Sequence, residues 1–290
     1  MKLLQFLFVT IVGAAVAVVG LHVVHWDSAS QGRLVSQPAF DRVMKTHTLR
    51  CAYNNAAGYF TTIDADRGVA IGIAHDVVEQ MGHILNLKIE WVEEAIPAQA
   101  GQNLADGRED VMCFPMWPDG PHAATLDYTA PLDYMPVYAY VRADDTRFDG
   151  DLTKINDSGV IVSVIRDGES KTIADEDFSQ AAQYSVIDAI DRPHLLLAVT
   201  MKRADVAFVD PIAAEDFRRN NPGTLKQVAN VAALRVSGES FAVGKGETKL
   251  RDMLNVALAQ MQQDGFIRAT LDKYLGDHKG EFFYVAKPWE

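Results

Sequence analysis

The sequence predicts an α/β fold in two halves, preceded by an apolar helix at the N-terminus. Short apolar strands alternate with segments of helical spacing, an order typical of parallel sheets covered by helices. This alternation begins again after Tyr134, so the chain contains two α/β units in succession. A separate apolar run at residues 3–24 precedes both units.

The N-terminal run has the length of a membrane span. Its 22 residues contain only three polar side chains, match the roughly 20 residues that cross a bilayer, and exceed the h-region of a typical signal peptide. Residues 1–30 are therefore either a signal peptide cleaved near Ser28–Ser30 or an uncleaved anchor, and the length favours the anchor. Both interpretations place the remaining residues outside the cytoplasm.

The first half opens with a strand at 49–53 and continues through the loop NNAAGYFTT. Residues 74–86 place apolar side chains three and four positions apart, which predicts a helix. The other predicted elements are a strand or turn at 68–73, a strand at 88–92, a helix ending near Gly107 and a strand at 109–114.

The second half follows the same alternation. Ser170 is a plausible N-cap for a helix after the turn at Asp167-Gly168, and Pro211 suits the first position of another helix. Its predicted strands are 136–145, 159–168, 204–210 and 240–247, and its predicted helices are 170–178, 194–203, 211–220 and two that Asp264-Gly265 separates within 248–276. The chain is expected to cross between the halves near 139–144 and to return near 236–242.

Charge and composition limit the partners. The formal net charge is -12, and an acidic surface repels phosphate backbones, so we expect no nucleic-acid partner. The eight histidines are scattered, and neither a metal site nor another cofactor is predicted.

Two cysteines, Cys51 and Cys113, lie in predicted buried strands. An exported protein can join such a pair in a disulfide. Bridging neighbouring parallel strands is geometrically demanding, so two separate buried thiols are the alternative. The sequence leaves both open.

Four segments in order resemble a known family. They are IGIAHDVVEQMG, REDVMCF running to LDYTAPLDY, RADVAFVD, and AVGKGETKLRDMLNVALAQMQQDGFIRATLDKYLG. Over residues 46–276 the chain resembles the periplasmic solute-binding proteins of the amino-acid-binding (family 3) type. This implies a two-lobed type II periplasmic-binding-protein fold with two crossover strands, a ligand cleft between the lobes and hinge closure. Lobe 1 would comprise 46–140 plus 237–276, lobe 2 would comprise 141–236, and 277–290 would form a C-terminal tail.

The resemblance also points to a changed first-lobe site. Family members hold a ligand's α-amino and α-carboxylate groups with serine, glycine, threonine and arginine after the strand. The corresponding positions here are Phe114, Pro115, Trp117 and His122. Histidine cannot supply the planar fork of arginine, so the usual carboxylate clamp is absent. Phe114 and Trp117 either form an aromatic wall for a ligand or pack within the lobe, and His122 is either a polar contact or a surface residue.

The second lobe keeps more of the family pattern. Asp210 stands where family members place an acid that meets the ligand's amino group, and it is also a plausible cap for its own helix. Arg166 and Ser170 flank a turn that resembles the family's anion-binding loop, although Arg166 is by default a solvated residue.

The loop after the first strand supplies the last candidates. Tyr59 and Phe60 lie where the family often places a ring against the ligand, and Asn54 lies just past the strand end. Asn54 either bonds ligand or makes the turn that asparagine favours.

The predicted function is capture of a small polar or aromatic molecule in the periplasm, for an ABC permease or another inner-membrane partner. An uncleaved N-terminus would tether the protein to the inner membrane. The alternative is a membrane-anchored sensory or interaction module with a degenerate cleft. No catalytic motif is present in the sequence, so we do not expect an enzyme; a dehydratase-like activity is the less favoured third interpretation.

Overall fold

A computed structural model describes residues 37–54, 62–64, 69–166, 168–186 and 192–276 of the chain. The N-terminal apolar run and the C-terminal tail lie outside these ranges, so the predictions for them are not addressed. Within the described ranges, no helix combines the length and the apolar character that a bilayer crossing requires.

Strands and helices alternate in both halves, as the sequence pattern predicts. The first half contains α1 (Ala39–Thr46), β1 (Thr48–Tyr53), β2 (Thr62–Asp64), β3 (Val69–Ile71), α2 (Ile73–Leu85), β4 (Lys88–Glu94), α3 (Ala100–Ala105), β5 (Val111–Met116) and β6 (Leu126–Tyr128). There follow β7 (Asp133–Arg142), β8 (Ile161–Ile165), α4 (Glu169–Asp177), β9 (Ala182–Val186), α5 (Pro193–Thr200), β10 (Val206–Val209), α6 (Pro211–Asn220), β11 (Leu225–Gln227), β12 (Arg235–Gly244), α7 (Thr248–Gln263) and α8 (Phe266–Leu275). Short 3-10 turns lie at Pro97–Gln99 and Leu152–Ile155.

The main sheet runs in the order β4-β1-β5-β12-β7-β10-β8-β9, with β6 paired to β12 and β11 paired to β7. β1 pairs in parallel with β4 and β5, and β8 pairs in parallel with β9 and β10. β2 and β3 form a separate antiparallel pair. The two parallel groups identify the two lobes.

Two long antiparallel strands join the lobes. Residues 133–137 of β7 pair with 235–239 of β12. Beyond that ladder, β7 pairs with β10 and β11 in the second lobe, whereas β12 pairs with β5 and β6 in the first. The two-lobed α/β fold with two crossover strands is therefore confirmed; the exact lobe boundaries stay a prediction.

Each lobe has its own buried core. In the first lobe, the apolar face of α2 packs with α7 and α8 around residues such as Val77, Leu254 and Leu271. In the second lobe, Val162, Ile173 and Phe208 belong to a distinct cluster. Because the cores are separate, the crossover strands form the covalent link about which the lobes can turn.

Several local predictions hold and one is wrong. Pro211 occupies the first turn of α6, and Gly265, at a φ of +81°, separates α7 from α8. Ser170 is not the N-cap of α4, because the helix begins at Glu169 with Gly168 in the cap position. The Ser170 hydroxyl instead accepts a hydrogen bond of 3.0 Å from the Ile165 N–H, which closes the turn after β8.

The structure joins Cys51 and Cys113 in a disulfide. Cys51 stands opposite Val111 on the neighbouring parallel strand, so the bridge runs diagonally across β1 and β5. The two Cα atoms are 5.3 Å apart, which lies within the ordinary range for a disulfide. The diagonal position removes the geometric objection to a bridge between parallel neighbours.

Candidate functional site

A group of mainly polar side chains meets at the crossover strands. It lies where β5 ends and where α4, α5 and α6 begin. We call it the crossover cluster. It consists of Trp117, Asp133, Glu169, Arg192, Asp210, Ser237 and Glu239. Trp117 follows β5, and Asp133, Ser237 and Glu239 lie on the crossover strands. Glu169, Arg192 and Asp210 stand at the N-termini of second-lobe helices.

Trp117 contacts both the hinge region and the second lobe. Its indole Nε1 donates a hydrogen bond to Oε1 of the buried Glu239. The guanidinium carbon of Arg192 lies 4.6 Å from the centroid of the Trp117 ring, the geometry of a cation–π contact. The ring therefore presents its edge to a carboxyl group and its face to a cation.

Asp210 has two roles in the described contacts. Its Oδ1 accepts a hydrogen bond of 2.8 Å from the Ala213 N–H, so it caps α6. Its Oδ2 lies 3.3 Å from Nη1 of Arg192 but receives no well-aligned hydrogen bond. The carboxylate is only 3% exposed, so one of its two oxygens is left with an ion-pair contact alone.

Glu169, the first residue of α4, reaches across to β12. Its Oε1 accepts a hydrogen bond of 2.6 Å from the Ser237 hydroxyl. Burial raises the pKa of Glu169, although the Ser237 hydrogen bond and the nearby Arg192 oppose that rise. This carboxyl group is therefore a second acidic neighbour of Arg192.

Asp133 and Glu239 are direct partners across the two crossover strands. Both are buried, at 0% and 2% exposure, and neither oxygen of Asp133 has a hydrogen-bond partner among the described residues. Burial raises the pKa of Glu239 to about 8. Burial together with the charge of Glu239 raises the pKa of Asp133 well above its usual value. The hinge therefore carries two carboxyl groups that favour the protonated form.

The crossover cluster contains more carboxyl groups than cationic groups. Glu169, Asp210 and Glu239 all lie within electrostatic reach of the Arg192 guanidinium, and Asp133 adds a fourth carboxyl group beside Glu239. Arg235 also acts on Glu169, but it is already paired with Glu176 and Asp177. A buried carboxyl group ionises readily only when a cation or several hydrogen-bond donors compensate for the lost water. The arrangement can therefore accept a further positive charge, and it disfavours an anion.

The structure brings two of the residues predicted from the sequence into this cluster, Trp117 and Asp210. Phe114 is not part of it. Its side chain is 2% exposed and packs with Ala52, Leu104 and other apolar residues of the first lobe. The strand β5 alternates its faces, which turns Phe114 into the core. Of the two alternatives for Phe114, the structure shows packing within the lobe.

His122 contacts its own turn. Its Nδ1 lies 2.8 Å and 2.9 Å from the two Asp119 oxygens, and its backbone N–H donates to Asp119 Oδ1. This local pairing holds the ring beside Asp119; a ligand contact of His122 stays a prediction.

Three other candidates take structural positions. Asn54 is buried and its amide donates a 2.9 Å hydrogen bond to the Ala95 carbonyl, which ties β1 to the segment after β4. Ser170 closes the turn after β8. Arg166 is exposed at that turn, and Arg192 supplies the cation of the cluster instead. Tyr59 and Phe60 lie outside the described residues.

Sequence reasoning missed Asp133, Arg192, Ser237 and Glu239 as site residues. One signal was available. Asp133 begins an apolar, largely buried strand, and Glu239 begins the buried part of β12, where a charge without a partner is costly. The role of Arg192 depends on how α5 is oriented, and no local pattern gives that orientation.

In the described part of the chain, no group of histidine, cysteine and acidic side chains has the arrangement of a metal site. The crossover cluster offers an aromatic ring face, buried carboxyl groups and a hydroxyl.

Comparison with solved structures gives the same fold. An ancestral amino acid-binding protein, a precursor of cyclohexadienyl dehydratase, superposes with a TM-score of 0.68 at 21% identity, covering 82% of this chain and 99% of that chain. The cysteine-binding protein from Campylobacter jejuni has a TM-score of 0.69 at 14% identity, covering 86% and 100%. A histidine kinase sensor domain has 0.66 at 19%, covering 82% and 98%. At these identities the likeness shows the fold alone.

Sequence comparison decides the family. No curated protein matches the chain, but the model of the bacterial extracellular solute-binding proteins, family 3, matches residues 49–277. This stretch includes both lobes, both crossover strands and every residue of the crossover cluster. The chain therefore belongs to the family 3 bacterial extracellular solute-binding proteins.

Proposed function

We propose that this protein captures a small polar or aromatic solute at the crossover cluster and delivers it to an ABC permease of the inner membrane. The observation that carries the proposal is the Trp117 ring, which faces Arg192 of the opposite lobe at 4.6 Å. A half-buried indole with buried carboxyls beside it is a ready contact for a small organic molecule.

Recognition at this site differs from the family's usual pattern. Phe114 is in the core, Pro115 has no N–H to donate, and His122 is paired with Asp119. The first lobe therefore offers a ring instead of the arginine fork that grips an α-carboxylate. We propose that binding, without turnover, is the activity, and that an ordinary α-amino acid in the family's usual pose is not the preferred ligand.

Hinge closure follows from the position of the cluster. Trp117 belongs to the first lobe, Arg192 and Asp210 belong to the second, and Glu239 lies on the strand that joins them. A solute that contacts all three groups binds the closed arrangement better than the open one, and this difference in affinity drives closure.

A thermal-shift screen of small metabolites tests the proposal. We expect several solutes to raise the melting temperature, and we expect Trp117→Ala to abolish those shifts. Trp91→Ala is the matched control, because Trp91 stacks on His75 at the outer strand β4. Melting-temperature shifts that persist in Trp117→Ala would contradict the proposal. So would a protein that responds only to standard amino acids and keeps that response in Trp117→Ala.

A sensory or interaction module is the second candidate function. It is favoured by the contact between Arg192 and Trp117, which already ties the two lobes together through the protein's own side chains. The fold serves this role in the histidine kinase sensor domain, so fold alone does not choose between them. A purified protein that responds to no solute, yet is retained by a membrane partner in crosslinking, would favour the module.

A further inference from the structure

We propose that the crossover cluster takes a small organic cation and that Arg192 is an internal competitor for the same position. This inference rests on the proposed function, because it names the class of solute that the site captures. It assigns Arg192 as a specificity-determining residue that lowers the affinity of the site for its own ligand.

A cation, the Arg192 guanidinium, already occupies the space between the Trp117 ring and Asp210. The Arg192 guanidinium lies over the Trp117 ring at 4.6 Å, and its Nη1 is 3.3 Å from Asp210 Oδ2. An aromatic face and a buried carboxylate on two sides of one cation form the same arrangement that proteins use to hold cationic ligands. The structure therefore shows the kind of group that fits between Trp117 and Asp210.

The surrounding charges favour a ligand cation over a ligand anion. Three carboxyl groups, those of Glu169, Asp210 and Glu239, lie within electrostatic reach of Arg192, and Asp133 is a fourth beside Glu239. The other nearby cation, Arg235, is paired with Glu176 and Asp177. An anion approaching Arg192 would have to displace Asp210 from its ion pair and would face the remaining carboxyls. A cation would instead reduce an existing excess of acidic groups.

Unsatisfied oxygens mark where the cation's donors would go. Both oxygens of Asp133 and Oδ2 of Asp210 are buried without a hydrogen-bond donor among the described residues. An ammonium group carries three donors and a guanidinium carries five. Asp133 is 0% exposed, so a ligand reaches it only when the lobes move apart at the crossover strands.

Arg192 is suited to leave its position. Its side chain is 36% exposed, whereas that of Asp210 is 3% exposed. It stands immediately before Pro193 at the start of α5, and its long side chain can turn into solvent by rotation about its own bonds. When a ligand cation displaces Arg192, it replaces Arg192 as the ion-pair partner of Asp210. The Asp210 carboxylate therefore keeps a cationic partner.

Binding of a cation should also release protons. Glu239 faces Asp133 on β7, Glu169 on α4, Arg192 before α5, Asp210 before α6 and Trp117 after β5. A cation placed among these groups lowers the pKa of the protonated carboxyls. Affinity for the cation should therefore rise with pH in the range below about 8, the pKa of Glu239 without ligand.

A matched series of probes tests the inference: benzylamine, benzyl alcohol and benzoate, which share one ring and differ in charge. Isothermal titration at pH 7.5 would use the wild-type protein, Arg192→Ala and Arg192→Gln. Arg219→Ala is the control, since Arg219 is an exposed arginine on α6 of the same lobe. Titrations in two buffers of different ionisation enthalpy would count the protons released.

We expect benzylamine to bind at least tenfold more tightly than benzyl alcohol, and benzoate to bind most weakly. Arg192→Ala and Arg192→Gln should each raise benzylamine affinity about tenfold, whereas Arg219→Ala should leave it unchanged. Proton release should accompany benzylamine alone. Preference for benzoate, loss of benzylamine binding in both Arg192 variants, or no benzylamine binding to any variant at millimolar concentration would overturn the inference. If metabolites still stabilise the protein through Trp117 in that case, the proposed function stands and only the cation assignment fails.

Discussion

The indole Nε1 of Trp117 donates its hydrogen bond to Oε1 of Glu239, a buried residue of the crossover strand. This contact connects the end of the first-lobe strand β5 to the segment about which the lobes turn. A ligand that moves the Trp117 ring therefore also changes the surroundings of Glu239. One hydrogen bond therefore links the proposed ligand contact, Trp117, to the hinge residue Glu239.

The two functions of Trp117 can be separated by substitution. Trp117→Phe keeps an aromatic face but removes the N–H that binds Glu239, whereas Trp117→Ala removes both. We expect Trp117→Phe to weaken solute binding severalfold and Trp117→Ala to weaken it by at least about tenfold, or about 1.4 kcal/mol. Titration calorimetry with the best solute of the screen measures both. Equal affinities for wild type and Trp117→Ala would show that the ring is not a ligand contact.

Stability should fall as the pH rises from 5 to 8. The pKa of Glu239 is about 8 in the folded protein and about 4.3 in an unfolded chain. Between these values the folded state holds a proton that the unfolded state has lost, so the free energy of unfolding decreases with pH. The contribution of one such group is up to about 1.4 kcal/mol per pH unit. The raised pKa of Asp133 acts with the same sign.

Glu239→Gln isolates this effect, because glutamine keeps an oxygen that can accept from Trp117. Urea unfolding at several pH values should give a flatter dependence for Glu239→Gln than for the wild type. Glu90→Gln, at an exposed position on β4, is the control and should reproduce the wild-type slope. A wild-type stability that increases from pH 5 to 8 would contradict the assignment of Glu239 as a protonated hinge residue.

Asp210 should show separable effects on stability and binding. Asp210→Ala removes the cap of α6 and should lower the free energy of unfolding by about 1 kcal/mol. Asp210→Ser restores a capping oxygen without restoring the charge that faces Arg192. We therefore expect serine to recover most of the stability and none of the affinity for benzylamine, as measured by urea unfolding and calorimetry. Recovery of affinity by serine would rule out a charge-dependent role.

Removal of the disulfide should destabilise the first lobe. The bridge between Cys51 and Cys113 closes a segment with a sequence separation of 62, for which the chain-entropy model gives about 4 kcal/mol. The double variant Cys51→Ala with Cys113→Ala should lose stability on this order in urea unfolding. A loss below about 1 kcal/mol would indicate that the bridge contributes little beyond the packing of two small side chains.

Much of the fold could be predicted from the sequence because the strands of both lobes are apolar and their helices carry clear periodicity. The helix at α2 buries Ile73, Val77 and Met81 on one face, as the spacing of three and four indicates. The strands β6 and β11 were missed since they contain only three residues each. β9 was missed because it is an edge strand whose AQYSV sequence is largely exposed and polar.

The candidate site was less predictable. Trp117 and Asp210 stand at strand ends, where a parallel α/β sheet commonly places its ligand contacts. That position and the family resemblance made them candidates, and the structure places both in the crossover cluster. Glu239 and Asp133 were not found, although an acid at the start of a buried strand segment is a usable signal. Arg192 precedes α5 and reaches Trp117 across the two lobes, so its role depends on tertiary geometry that neither spacing nor composition encodes. The sequence left Phe114 open between a ligand wall and the core, because the loop around it is rich in rings and prolines; its position in β5 turns it inward.

The central claim is that solute binds against Trp117 at the crossover cluster, and fluorine NMR of protein labelled with 5-fluorotryptophan tests it most directly. The chain contains four tryptophans, and Trp117→Phe and Trp91→Phe assign the two resonances that the test compares. Titration with benzylamine should shift the Trp117 resonance at saturating concentrations and leave the Trp91 resonance in place. Saturable binding that leaves the Trp117 resonance unchanged would contradict the account and would place the ligand elsewhere on the protein.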